Sequence, residues 1–158
     1  ALDEPGPRLD RLRENLTRAP RGVDVALMPG DLNRAGPRYF AQFNLPEVYD
    51  AVLLDAPCSN TGVMRHRIDV KWRLQEGDFG QHARQQEQLL QAAARMVRPG
   101  GRLVYSTCSI DPEENEGVVR NFLASRAGAD FHAAGEVRAF PWTDGHDGAA
   151  AFRLERRG

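Results

Sequence analysis

The chain has 158 residues, of which 41% are hydrophobic and 27% charged, and its formal net charge is −1. This length and composition predict one globular domain with a substantial core. The near-neutral charge excludes a protein that holds nucleic acid by charge alone. No apolar run approaches the roughly 20 residues of a membrane span, and the first residues lack the basic and apolar regions of a signal peptide. We therefore expect a cytoplasmic protein.

The first part of the chain predicts helices and short strands in alternation. Ala1-Leu2-Asp3 is typical of the last residues of a strand. Leucines at helical spacing predict a helix over Pro5–Arg18, with a proline near its start where the missing N–H costs little. Val23–Met28 predicts a short strand, and Asn33–Leu45 a loop or broken helix because it lacks periodicity. Tyr49–Leu54 is an apolar run of the kind that is buried in a parallel sheet.

The second part predicts a long connection, two helices and three strands. In order these are the connection Asp55–Phe79, the helix Gln81–Val97, the strand Arg102–Ser106, the helix Pro112–Ser125 and the strands Phe131–Phe140 and Ala149–Glu155. We expect Pro99-Gly100-Gly101 to stop the first helix, Asp111 to cap the second, and Glu114 to favour the positive end of the second. The alternation predicts an α/β fold, a doubly wound and mostly parallel sheet that ends in an antiparallel hairpin.

The start of the chain suggests a piece of a longer protein. An acidic residue at a strand end, such as Asp3, is a common ribose ligand in nucleotide-binding sheets, although it also serves as a helix cap. No glycine-rich loop precedes Asp3. We expect residues 1–158 to be a partial domain that lacks the first strand and the glycine-rich loop of such a sheet.

Both cysteines of the chain follow strand-like apolar runs. Cys58 stands in Asp55-Ala56-Pro57-Cys58-Ser59, and Cys108 stands in Ser106-Thr107-Cys108-Ser109. If both runs are strands of one parallel sheet, both sulfurs lie at its carboxyl edge, where open α/β sheets bind ligands. We expect free thiols, because a domain of this size needs no disulfide.

Two thiols and the carboxylate of Asp55 suffice for one demanding reaction. A thiolate that adds to C6 of cytosine makes C5 nucleophilic, and a hydrogen bond near N3 stabilises the charge that develops. C5 can then attack a methyl sulfonium, and a base must remove the C5 proton to expel the thiolate. The residues alone leave another interpretation open, in which Cys58 and Cys108 are small apolar core residues.

A basic segment lies within the long connection. Its members are Arg65, His66, Arg67, Lys71 and Arg73, with Trp72 among them. One interpretation is a solvated loop with a partly buried tryptophan. The other is a loop that contacts phosphates and stacks a base on the aromatic ring.

The motifs around the cysteines have the pattern of a known family. Asp55–Gly62 and Tyr105–Ile110 resemble the two signature motifs of the Sun-like RNA 5-methylcytosine methyltransferases. Val63–Arg73 resembles the basic loop of that family, Gln85–Gly101 its helix and Pro-Gly-Gly turn, and Pro112–Glu116 the segment after its second cysteine. The resemblance implies a Rossmann-like class I methyltransferase fold with S-adenosylmethionine as cofactor.

The resemblance also implies a role for individual residues. Cys108 would be the nucleophile that adds to C6, and Cys58 would assist release of the methylated base by helping to deprotonate C5. Asp55 would touch both the cofactor and the target base. Further cofactor contacts would come from Asp3 at the ribose, Asp31 beside the adenine, and Pro57. The residues expected to face RNA phosphates are Arg65, Arg67, Lys71 and Arg73.

The implied substrate is RNA, with small-subunit (16S) ribosomal RNA expected first and transfer RNA as the alternative. No metal and no membrane partner are expected. A catalytically silent RNA-binding fragment is the second hypothesis, although binding alone needs neither thiol; thiol redox activity is disfavoured because there is no Cys-x-x-Cys. The sequence departs from the family pattern at Arg67 and Val70, where Pro and Ile are usual, and at Asp147–Phe152, where Asp-Gly-Phe-Phe is usual.

Overall fold

The computed structural model describes residues 1–18 and 24–158, which form two compact units, Ala1–Glu47 and Val48–Gly158. The elements of the first unit are β1 Leu2–Asp3, α1 Pro7–Leu16, β2 Met28–Pro29 and α2 Pro37–Ala41. β1 and β2 are parallel, with Leu2 opposite Met28. Proline stands at the start of both helices, where the absent N–H would have no partner within the helix.

Most of the elements predicted for the first unit are present, although their bounds differ from the prediction. α1 is shorter than predicted at both ends, and α2 is the helical part of the segment expected to be a loop or broken helix. The strand predicted over Val23–Met28 is wrong in extent, because residues 24–27 are not in a strand and only Met28 pairs with β1. Val23 itself lies outside the described residues.

The second unit contains one mixed sheet and its helices. Its elements are β3 Tyr49–Asp55, α3 Asp69–Arg73, α4 Glu76–Ala94, β4 Val97–Thr107, α5 Glu116–Ala124, β5 Phe131–Ala139, α6 Pro141–Asp144 and β6 Ala149–Arg156, with 3₁₀ turns at Thr61–Val63 and Pro112–Glu114. The strand order is β3-β4-β6-β5. β3 and β4 are parallel, whereas β6 is antiparallel to both β4 and β5. The predicted antiparallel hairpin is therefore present.

The register of β3 and β4 determines where their loops begin. Asp55, the last residue of β3, lies opposite Ser106 of β4, so both strands end at the same edge. Leu103 and Tyr105 of β4 are fully buried, as are Leu90 of α4 and Val118 of α5. This core fixes the two strand ends from which the cysteine loops emerge.

Helix α4 begins earlier than the sequence predicted. Gln75 and Asp78 form a reciprocal capping box that starts the helix at Glu76, within the segment expected to be a connection. The helix ends at Ala94, so Pro99-Gly100-Gly101 does not stop it but lies within β4. There the strand bulges, because Tyr49 pairs with Val97 while Ala51 pairs with Arg102, and Gly100 takes a positive φ of 71°.

The helix predicted over Pro112–Ser125 is divided. A 3₁₀ turn covers Pro112–Glu114, and α5 begins only at Glu116. The prediction that Asp111 caps the helix is wrong, because its carboxylate accepts hydrogen bonds from the hydroxyls of Thr61 and Ser109 instead. Glu114 is not at a solvated helix end either, since it is fully buried.

Candidate active site

The two cysteines converge, as the sequence predicted. Cys58 follows β3 and Cys108 follows β4, and their Sγ atoms are 3.2 Å apart. Both are free thiols, since a disulfide requires a separation of about 2.05 Å. Cys58 is buried and Cys108 is partly exposed, so a reactant reaches Cys108 more easily.

The thiols differ in their affinity for a proton. The pKa of Cys108 is lowered to about 7 because the thiol of Cys58 donates a hydrogen bond to its sulfur, and burial opposes this change only in part. The same hydrogen bond raises the pKa of Cys58 well above its ordinary value, and burial raises it further. Cys108 therefore loses its proton more readily than Cys58.

Asn60 connects the two cysteine loops, and the sequence analysis gave it no role. Its side-chain Nδ2 donates to the Cys58 carbonyl at 2.9 Å, and its Oδ1 accepts a hydrogen bond from the Cys108 thiol at 3.2 Å. Its backbone is left-handed, with φ of 66°, a conformation that asparagine adopts more readily than most residues. The Ser-Asn-Thr-Gly run after Cys58 carried this turn signal.

Glu114 is a second residue that sequence reasoning did not place in the site. It is fully buried, and its Oε1 accepts hydrogen bonds from Ser59 N at 2.9 Å and from Gln86 Nε2 at 3.0 Å. Its Oε2 accepts a further hydrogen bond from the hydroxyl of Ser59. Gln86 also donates to the carbonyl of Pro57 at 2.9 Å. The residues on either side of Cys58 are thus both held by this pair.

Close backbone packing completes the site. Gly62 N donates to the Cys108 carbonyl at 2.9 Å, and Gly148 N donates to the Gly62 carbonyl at 2.8 Å. A Cβ on Gly62 would stand 2.3 Å from the Gly148 oxygen and 2.7 Å from the Cys108 oxygen. Only glycine allows these three loops to approach so closely.

Asp55 ends β3 at the edge from which both cysteine loops emerge. Its Oδ1 accepts a hydrogen bond from Ser106 Oγ at 3.3 Å, and the residue is exposed, as is Pro57. Its carboxylate therefore remains accessible to an incoming hydrogen-bond donor.

Asp3 and Asp31 lie in the first unit. Asp3 ends β1 and Asp31 follows β2, so both stand at the carboxyl edge of this parallel pair. One oxygen of each accepts a hydrogen bond, from Glu4 N at 2.8 Å and from Asn33 N at 2.9 Å respectively. The other oxygen of each faces an arginine, Arg8 at 3.9 Å and Arg34 at 3.5 Å. The side chains are 34% and 37% exposed, so each can accept further hydrogen bonds from hydroxyl or amino groups. The ribose hydroxyls and the adenine amino group of a nucleoside are donors of this kind.

The predicted RNA-contacting residues are all exposed. Arg65 is held by Asp147 at 2.6 Å, while Arg67 and Arg73 share Asp69 at 3.3 and 3.9 Å. His66 lies 3.5 Å from the carboxylate of Asp147. Lys71 and Trp72 are adjacent, with the Lys71 Nζ 5.2 Å from the ring centroid and Trp72 79% exposed. The tryptophan is thus not partly buried, as one interpretation expected, but presents its ring to solvent.

The part of the chain that the structure describes contains no group of three or more His, Cys, Asp or Glu side chains that could hold a metal ion. None of its helices is both long and apolar enough to cross a membrane.

The fold is that of class I methyltransferases, as predicted. It resembles the crystal structure of the glycopeptide N-methyltransferase MtfA complexed with S-adenosyl-L-methionine, with a TM-score of 0.57 and 14% identity over 100% of this chain and 72% of that one. Two solved structures are more similar. PH0851 has a TM-score of 0.84 at 34% identity, and NSun6 from Pyrococcus horikoshii with SFG has 0.80 at 27%. The matches cover 99% and 100% of this chain and 36% and 41% of those chains.

Residues 1–148 match the 16S rRNA methyltransferase RsmB/F family, and the chain belongs to this family. Among curated relatives, ribosomal RNA small subunit methyltransferase B of Sodalis glossinidius is 39% identical over 88% of the chain. The protein of the same description from Erwinia tasmaniensis is 37% identical over 99% of it. The chain spans 30% and 36% of the length of these relatives. The resemblance drawn from the two cysteine motifs is therefore confirmed.

Proposed function

We propose that this chain is the catalytic part of an enzyme that methylates C5 of a cytosine in RNA. The observation that carries the proposal is the 3.2 Å approach of two free thiols beside the ends of two parallel strands. S-Adenosylmethionine would supply an electrophilic methyl group, and its nucleoside would be held by Asp3 and Asp31. Family membership supports 16S ribosomal RNA as the substrate, and hence a cytoplasmic enzyme.

Cys108 begins the reaction. Its thiol has the lower pKa and is the more exposed of the two, so its thiolate attacks C6 of the cytosine and forms an S–C6 bond. The electron pair of the C5–C6 double bond is displaced onto C5 and delocalised toward N3, and this makes C5 nucleophilic. Asp55, accessible at the end of β3, accepts a hydrogen bond from the exocyclic amino group and orients the base. C5 then bonds to the methyl carbon, whose bond to the sulfonium sulfur of S-adenosylmethionine would break and leave S-adenosylhomocysteine.

Cys58 completes the reaction. Its pKa is raised chiefly by the hydrogen bond to Cys108, and that cause disappears once the Cys108 sulfur is bonded to carbon. Cys58 can then release its proton to water and accept the proton from C5. The C5–C6 double bond re-forms, the S–C6 bond breaks, and Cys108 leaves as a thiolate. Cys58 thus becomes able to act as a general base only after Cys108 has formed its bond to C6.

The target base must reach both thiols, so it has to be unpaired or flipped out of its stack. The exposed basic segment supports this part of the proposal. Lys71 offers a charge to the RNA backbone, and Trp72 offers a ring on which a neighbouring base can stack.

The proposal is tested by methyl transfer from labelled S-adenosylmethionine with the intact protein that contains this chain. We expect Cys108→Ser to abolish transfer, because no nucleophile remains. We expect Cys58→Ser to accumulate a protein–RNA adduct that survives denaturant, and the double variant to form none. Wild-type turnover in Cys108→Ser would exclude the nucleophile assignment.

The same assay separates the alternative substrates and roles. Methylation of transfer RNA but not of 16S ribosomal RNA would show that transfer RNA is the substrate. RNA binding without any methylation would indicate a catalytically silent module. Normal turnover of Cys58→Ser without an adduct would show that Cys58 has no role in the release step.

A further inference from the structure

Glu114 is a buried acidic residue with neutral partners only. It is fully buried, and no arginine, lysine or histidine among the described residues pairs with it. Buried charged groups normally have a counter-ion or several hydrogen bonds. Here the donors are the backbone N–H and hydroxyl of Ser59 and the amide of Gln86.

These bonds surround Cys58 without touching its sulfur. Ser59, directly after Cys58, donates twice to Glu114, and Pro57, directly before it, accepts from Gln86. The amide orientation of Gln86 is set by its two acceptors, since its Oε1 is left buried without a partner. The backbone on both sides of Cys58 is therefore fixed to Glu114 and Gln86.

Glu114 is itself attached to the strand of the other cysteine. Its backbone carbonyl accepts a hydrogen bond from Tyr105 OH at 2.6 Å. Tyr105 is fully buried in β4, three positions before Cys108. Glu114 is thus bound both to β4, which precedes Cys108, and to the loop that carries Cys58.

We propose that Glu114 is a positioning residue that sets the distance between the sulfurs of Cys58 and Cys108. Its relevance to catalysis rests on the proposed function, because the same thiols perform that reaction. The spacing of the sulfurs, however, can be measured without RNA or cofactor.

Glu114→Gln separates the effect of the hydrogen bonds of Glu114 from the effect of its charge. Glutamine at this position retains every hydrogen bond, because its Oε1 can accept from Ser59 N and Gln86 while its amide donates to Ser59 Oγ. The hydroxyl of Ser59 can then turn to Ser109 Oγ or Thr61 Oγ1, at 3.3 and 3.4 Å. The charge of Glu114 raises the pKa of both thiols only as the weakest of the causes that act on them. If Glu114 acted chiefly by this charge, its neutralisation would make the thiolate of Cys108 more stable and lower the pKa of Cys108.

The test is the pH profile of iodoacetamide alkylation of Cys108 in the folded chain, with the site identified by peptide mass spectrometry. The wild-type midpoint is expected near pH 7, and Cys58→Ala should raise it toward the ordinary thiol pKa of about 8.5. We expect Glu114→Ala to raise the midpoint by about one pH unit, from about 7 toward that same ordinary value. The double variant Glu114→Ala/Cys58→Ala should match Cys58→Ala alone, and Glu114→Gln should match the wild type.

Three results would overturn the proposal. They are an unchanged midpoint in Glu114→Ala, a midpoint below that of the wild type in Glu114→Gln, and additive shifts in the double variant. Circular dichroism confirms folding of each variant. If Glu114→Ala does not fold, Gln86→Leu takes its place under the same criteria, because it removes the amide that holds Pro57 and Glu114 while keeping the volume.

Discussion

Gly62 offers the sharpest test of how the cysteine loops are packed. A methyl group at this position would meet the Gly148 oxygen at 2.3 Å, the Gly148 carbon at 2.7 Å and the Cys108 oxygen at 2.7 Å. All three atoms belong to backbone, so no side chain can turn away to make room. Gly62→Ala must therefore separate the loops by about 1 Å to restore ordinary contact distances.

The energetic cost follows from this displacement. Forced overpacking costs about 1–3 kcal/mol. The hydrogen bonds from Gly62 N to Cys108 O and from Gly148 N to Gly62 O lie at the same point. Weakening them costs about 1 kcal/mol each. We expect Gly62→Ala to lose about 3–5 kcal/mol of unfolding free energy, the sum of these contributions.

Urea unfolding followed by circular dichroism measures this loss. The matched control is Gly77→Ala, because Gly77 lies in α4 with no atom within 4 Å of the added carbon. That variant should gain about 0.5–1 kcal/mol from helix propensity. If Gly62→Ala stays within about 0.5 kcal/mol of the wild type, as most surface substitutions do, the loops are not packed as described.

Two other measurements follow from the site. The pKa of Cys108 is lowered to about 7 on folding. Its thiolate therefore contributes stability above the ordinary pKa of about 8.5, and this contribution is lost as the pH falls through 7. The urea midpoint of the wild type should accordingly fall more between pH 8.5 and pH 6 than that of Cys108→Ser; equal dependence would contradict the lowered pKa. Lys71→Gln should weaken single-stranded RNA binding and reduce the salt slope by about one, as fluorescence anisotropy at several salt concentrations would show. Arg126→Gln, exposed after α5, should change neither, and equal losses in both variants would argue against a contact at Lys71.

The convergence of the thiols was predictable because it depends on chain order and strand direction. Two apolar runs in an alternating helix–strand chain predict parallel strands, and parallel strands end at the same edge. Cys58 and Cys108 each follow such a run, so their proximity needed no detail of packing. The boundaries of β3 were predictable from the same apolar run. Its expected burial on both faces is wrong, because β3 is an edge strand of the four-stranded sheet and Leu53 is 69% exposed.

The support of the site was not predictable, because it depends on long-range burial. Glu114 stands in an acidic run that is typical of a solvated helix start, and nothing local distinguishes it from Glu113. It is buried because Ser59 and Gln86 bring donors from distant parts of the chain. Asn60 did carry a local signal for a turn, yet its hydrogen bond with the Cys108 thiol follows from tertiary structure alone.

The strand order has a consequence for synthesis on the ribosome. β6 lies between β4 and β5, although it is translated after both. β5 therefore has no neighbour to pair with until residues 149–156 have emerged, and Gly148, which closes the cysteine loops, emerges just before them. The hydrogen bond from Gly148 to the Gly62 loop can thus form only near the end of translation of this unit. Until then, a nascent chain exposes unpaired strand edges that nascent-chain chaperones bind.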